Sequence, residues 1–151
     1  MRESRKHTVY HIMRVQTLLN QVRGLLLERG ENHDLSKLSP PEVDIFDKYT
    51  PKLKALTYGS DEYKQCLEEM KPALEHHYAH NRHHPECQPG GIHDMSLIDV
   101  MEMLADWKAA SERHNDGDLL RSIEINAERF ALSSQVVSIL RNTAIALKWD
   151  K

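Results

Sequence analysis

An all-α fold follows from three observations. Apolar residues recur at i, i+3, i+4 and i+7 through most of the chain. No window alternates apolar and polar residues for long enough to form a strand. The interruptions are short clusters of Ser, Pro, Gly and Asn of the kind that separate helices rather than domains. The 151 residues, 40% hydrophobic and 28% charged, fit one ordinary globular domain spanning 1–151. A single-domain bundle of about six helices is predicted.

The first helix runs from Tyr10 to Leu27, with Ile12, Val15, Leu18, Leu19, Val22, Leu25 and Leu26 on one face and Gly30 as its stop. Ser39-Pro40-Pro41-Glu42 reads as a capped start for a second helix reaching about Tyr49. Ser60-Asp61-Glu62, after the break at Tyr58-Gly59, opens a third, whose inner face is Leu67, Met70, Leu74 and Tyr78. This helix is expected to continue through the histidines to Pro85. Ser96 caps a fourth, carrying Leu97, Val100, Met101, Leu104 and Trp107. After the break at 115–118, a fifth spans Asp118 to Leu132, and Ser133 or Ser134 caps a sixth reaching Leu147.

Several function classes drop out. No stretch approaches 18 consecutive apolar residues, so no membrane span is expected. Met1-Arg2-Glu3-Ser4-Arg5-Lys6-His7 lacks the apolar core of a secretory signal. Cys66 and Cys87 form no CxxC pair, which fits a reducing, cytoplasmic setting. A net charge of −3 argues against general nucleic-acid binding. Val136, Val137, Ile139, Leu140 and Leu147 suit either the interior or a homodimer face.

Histidine is the anomaly: ten in all, six of them between His76 and His93. Buried imidazoles require a hydrogen-bond partner or a metal, so this density does not serve an apolar core. In Glu75-His76-His77-Tyr78-Ala79-His80-Asn81-Arg82-His83-His84-Pro85, helical spacing aligns His76, His80 and either His83 or His84, with His77 pointing away. Imidazoles four apart clamp a metal ion; a polar helix end facing solvent is the alternative. His33-Asp34-Leu35-Ser36-Lys37 places an imidazole and a carboxylate side by side, a pairing suited to divalent metals, although Asp34 alone also serves as a helix cap. Asp99, Glu102 and Asp106 form one acidic line along the fourth helix, and Asp99 also suits the helix dipole. His7 and His11 share a face of the first helix, with His11 nearer the apolar run.

In this order, His11, His33-Asp34, the histidine cluster and a helical Asp, the residues resemble the H…HD…H…H…D ligand pattern of the HD phosphohydrolase superfamily. HDLSK is similar to an HDxxK variant, and His83-His84-Pro85-Glu86 to an HHE segment, of HD-GYP-type members, although the GYP portion is absent. Nearly the whole chain, His11 to Thr143, also resembles a family of small bacterial and tailed-phage proteins of unknown function. That likeness rests on HIMRV, HDLSKLSPPE, LTYGSDEY, ALEHHYAHNRHHPE, MSLIDVMEMLADWKAASER and SIEINAERF.

The superfamily resemblance implies an HD-like bundle holding one or two divalent ions (Mn, Fe, Zn, Mg, Ni or Co). His11, His33, Asp34 and a carboxylate from Asp99 or Asp106 would form the core set, with Asp99 ahead. His76 with His83 or His84 would complete a second ion site. It further implies hydrolysis of a small phosphate ester such as a nucleotide, in host cytoplasm if the chain is phage-encoded. Asp34 or another site carboxylate would orient the attacking water and Lys37 hold phosphate, with His80, Asn81 and Arg82 as substrate contacts. Arg129 is a further phosphate candidate. Two other readings stay open: a di-iron oxygenase on the same ligands, and a non-catalytic nucleotide- or partner-binding protein.

Overall fold

The structure, a computed structural model, describes residues 3–57, 60–113 and 117–150. Tyr58, Gly59, Asn115 and Asp116, assigned above to chain breaks, lie outside the described residues. The described residues form six α-helices and no strand: α1 Glu3–Asn32, α2 Glu42–Ala55, α3 Asp61–His80, α4 Leu97–Ser111, α5 Leu119–Arg129 and α6 Ser134–Ala146. The all-α expectation holds. No described helix is long and apolar enough to cross a membrane. The chain divides into two bodies, residues 1–33 and 34–151.

The first body is α1. Its 30 residues give a rod about 45 Å long. The helix begins well before Tyr10 and continues through Gly30, which was expected to stop it. A glycine in helical conformation costs only about 1 kcal/mol, too little to end a long helix by itself. The end comes at Asn32, whose side-chain amide donates to the Glu28 carbonyl at 2.8 Å.

In the second body, a 3-10 turn at Leu35–Leu38 precedes α2. Ser39 is extended and does not cap α2, which starts at Glu42 with Pro41 in the N-cap position. Helix α2 also passes Tyr49 and accommodates Pro51, losing one backbone bond, to reach Ala55. Helix α3 starts as expected, with Ser60 Oγ accepting from the Tyr63 amide at 3.1 Å. Tyr49, Cys66 and Met70, flanked by Ile45, Phe46, Leu53, Leu56 and Leu74, join α2 to α3.

The inner face of α3 differs from the expected one. Cys66, Met70, Ala73 and His77 are its buried residues, spaced 4, 3 and 4 apart, while Leu67 is exposed. The core stripe is therefore rotated by about one residue, and it leads inward to His77.

Helices α4, α5 and α6 enclose a second core of Leu104, Leu119, Ile123, Leu140 and Ala144, with Trp107 and Trp149 packed against it. Burying each large aliphatic side chain there contributes roughly 1.5–3 kcal/mol. Helix α5 stops at Arg129, short of Leu132, because Ala131 turns left-handed at φ 49°. The amides of Ala131 and Leu132 then reach back to the carbonyls of Glu128 and Ala127, closing the end as a Schellman motif. Lys148, at φ 59°, ends α6 the same way, with Lys148 and Trp149 bonding back to Ile145 and Ala144.

Candidate metal centre

The centre is built where α3 ends. Asn81 leaves the helix in an extended conformation, and its side-chain amide donates to the His77 carbonyl at 2.8 Å, capping the last turn. His83 and His84 therefore lie in the following turn, not on a helical stripe with His76 and His80. Pro85 holds His84 extended (φ −90°, ψ 123°), as the residue before proline requires. The reversal brings the His83 and His84 rings back over His77, with the ring centres of His77 and His84 4.8 Å apart.

The fourth member comes from the 3-10 turn. Asp34 sits in the left-handed region at φ 58°, a conformation Asp tolerates better than most residues. Its carbonyl accepts from the Lys37 amide at 2.9 Å, and its Oδ2 accepts from Lys37 Nζ at 2.6 Å. This local clamp aims Oδ1 at the histidines, 3.2 Å from His77 Nε2 and 3.6 Å from His83 Nε2. His77 Nε2 and His84 Nε2 lie 3.0 Å apart.

Asp34, His77, His83 and His84 thus bring one donor atom each within 4.8 Å of one another, and the group could hold a metal ion. The spacing fits that use. Ligands bound at about 2.0–2.1 Å around a tetrahedral ion stand about 3.3–3.4 Å apart, and the observed 3.0, 3.2 and 3.6 Å bracket that edge. The donor set of three imidazoles and one carboxylate suits Zn, Mn, Fe or Co better than Ca.

Carboxylates behind the rings orient them. Glu42, fully buried in the first turn of α2, holds His76 Nδ1 on Oε1 at 2.6 Å and His77 Nδ1 on Oε2 at 2.9 Å. Burial pushes the Glu42 carboxyl pKa up. The hydrogen bonds from His76, Ser36 and His77 outweigh this and leave it below the ordinary value. Glu102 on α4 stands 3.1 Å from His83 Nδ1. Desolvation, followed by the neighbouring His83 and His77 rings, drives the His84 imidazole down to about 3, so its ring is neutral near pH 7, as a ligand must be.

The residues expected from sequence divide accordingly. Asp34, His83 and His84 meet in the centre. His77, expected to point away, is central to it, because the core stripe of α3 runs to it. His76 is held by Glu42 outside the four-residue group, and its ring stacks on His80 at 4.0 Å. His80 donates from Nδ1 to the His76 carbonyl, 2.7 Å away. His11 and His33 both belong to the first body, 22 positions apart along α1 and the residue after it, which is about 33 Å of helix rise. One ion cannot span that distance, so these two residues of one chain do not share a site.

Asp99, favoured above as the helical ligand, is already committed. Its Oδ2 accepts from the Ser96 amide at 2.9 Å, Ser96 Oγ at 2.8 Å and Arg82 Nη2 at 3.2 Å, and its Oδ1 accepts from Arg82 Nε at 3.3 Å. It completes the capping box that starts α4. Asp106, two turns further on, has a carboxylate oxygen within 4.8 Å of one of Asp34, so of these two aspartates Asp106 is the one near the centre. Of the expected substrate contacts, Arg82 pairs with Asp99, Lys37 with Asp34, and Asn81 with Ser36 and the His77 backbone. Arg129 pairs with Glu86 at 2.7 Å.

Sequence reasoning missed Glu42 and His77, and placed Glu102 on the acidic line of the fourth helix without giving it a part in the site. His77 was recoverable by carrying the Cys66, Met70, Ala73 spacing one step further. Glu42 carried only the signal of a first-turn acid, which a helix dipole explains equally well.

Comparisons with curated proteins and with solved structures gave no match. The model of one family covers residues 1–146, nearly the full length, and the chain belongs to that family, the Family of unknown function (DUF5662).

Proposed function

We propose that the protein is a metal-dependent hydrolase of small phosphate esters, nucleotides among them, working through the Asp34–His77–His83–His84 centre. The observation that carries this reading is the convergence of three imidazole nitrogens and one carboxylate oxygen at ligand-to-ligand spacing. The order of HD-type residues in the sequence supports the choice of phosphoryl chemistry. A divalent ion held there would lower the pKa of a water molecule and polarise a phosphoryl oxygen.

The chain's own groups have defined parts in this scheme. Lys37 fixes Asp34 so that Oδ1 faces inward, and its ammonium adds positive charge beside the centre. Glu42 and Glu102 hold His77 and His83 from behind. Asp106, beside Asp34, would orient the attacking water.

The test is metal analysis of the purified protein followed by a screen of phosphorylated metabolites. Asp34→Ala should lose the bound ion and reduce turnover by at least 100-fold, whereas hydrolysis retained in that variant overturns the assignment.

A further inference from the structure

The hydrogen bonds around His77 close in only one way when each proton is counted. Three groups lie near its Nδ1: Glu42 Oε2 at 2.9 Å, Asn81 Nδ2 at 3.0 Å and Ser36 Oγ at 3.2 Å. The Asn81 amide has two protons. One goes to the His77 carbonyl at 2.8 Å and the other to Ser36 Oγ at 2.8 Å, so none is left for the ring. Exchanging the amide oxygen and nitrogen would set two acceptors against each other at the carbonyl, so the orientation is fixed. Ser36 has one hydroxyl proton, and it goes to Glu42 Oε2 at 3.1 Å, because giving it to Nδ1 at 3.2 Å would set the ring lone pair against the Glu42 carboxylate at 2.9 Å. Glu42 then has lone pairs to spare, and only a proton on His77 Nδ1 satisfies both.

We infer that Glu42 is a positioning residue. It holds a proton on His77 Nδ1, and so leaves Nε2 as the nitrogen that faces Asp34 Oδ1 and His84 Nε2. The use of Nε2 for a metal rests on the function proposed above; the proton on Nδ1 does not. Glu42 can do this because it is fully buried and starts a 14-residue helix whose dipole favours its charge. Its two oxygens serve two histidines, Oε1 holding His76 and Oε2 holding His77. A carboxylate behind a ligating imidazole fixes ring orientation and raises its basicity, and losing it typically costs 10–100-fold in metal affinity.

The experiment is long-range 1H–15N correlation spectroscopy of the metal-free full chain at pH 8, assigned through His77→Gln, with zinc affinity measured by competition. In the wild type the His77 signal should report Nδ1–H. In Glu42→Gln it should shift toward the Nε2–H or mixed tautomer, with zinc bound 10–100-fold more weakly, while Glu42→Asp keeps the wild-type tautomer. A wild-type His77 protonated on Nε2 alone overturns the inference and requires no variant to fold. An unchanged His77 tautomer in folded Glu42→Gln overturns it as well. Wild-type protein that shows Nδ1–H but binds no zinc, manganese or cobalt supports Glu42 as the positioning residue and defeats the metal-centre reading instead.

Discussion

Asp99 and Asp106 share a residue type, a helix and a face, yet their neighbours give them different work. Asp99 accepts four hydrogen bonds from Ser96 and Arg82, so its carboxylate is spent on starting α4 and holding Arg82. Burial pushes its pKa up, but the Ser96 and Arg82 interactions dominate and hold it below the ordinary value. A depressed carboxyl pKa adds stability that is present above the unfolded value and is lost as pH falls through the folded one. Asp99→Asn should therefore lose about 1–3 kcal/mol at neutral pH. It should also flatten the acid limb of the stability curve while keeping the metal stoichiometry. Urea unfolding between pH 3 and 7 with metal analysis checks this; lost stoichiometry in a folded variant would return Asp99 to the ligand set.

At the scale of elements, the helix ends decide the most. Serines 60, 96 and 133 each accept an amide hydrogen bond at a helix start, as their sequence context predicts. The C-terminal ends were harder to place, because Gly30 does not stop α1 while Ala131 and Lys148, neither of them glycine, close α5 and α6 in left-handed conformations. A left-handed alanine carries a steric cost between its Cβ and its own backbone, which glycine avoids. Ala131→Gly, at an exposed position, should stabilise the protein by about 0.5–1 kcal/mol despite the greater freedom of glycine in the unfolded chain. Thermal unfolding checks this, and a lower midpoint would mean that the alanine methyl contributes packing that outweighs its strain.

At the scale of the whole molecule, the centre ties the 3-10 turn after Asp34 to the end of α3 and to the turn that follows it. A ligand that binds only the folded form adds stability in proportion to the logarithm of its excess. At 100 times its dissociation constant, an ion contributes about 2.7 kcal/mol, a rise on the order of 10 °C in melting temperature for a chain of this size. Zinc, manganese, cobalt and ferrous iron should be compared with chelator-treated protein. If none raises the midpoint, no preformed site binds these ions.

The sequence by itself determined the helical class, the starts of α3, α4, α5 and α6, and the residue types of the candidate centre. Each of these is written in local spacing: apolar periodicity, serine caps, and histidines beside an aspartate. Asp34, His83 and His84 were legible because their residue types have few other uses at such density. Tertiary structure alone decided which members of that set converge. Where α3 ends, at Asn81 instead of Pro85, sets whether His83 and His84 continue a helical stripe or fold back onto His77. That choice rests on an amide reaching Ser36, 45 residues away in sequence. Glu42 and Glu102 became site residues through packing of α2 and α4 against the histidines, and α1, continuous to Asn32, separates His11 from His33. Periodicity reports which face of a helix is apolar; it carries no information about where the helix turns, and the centre is made at the turns.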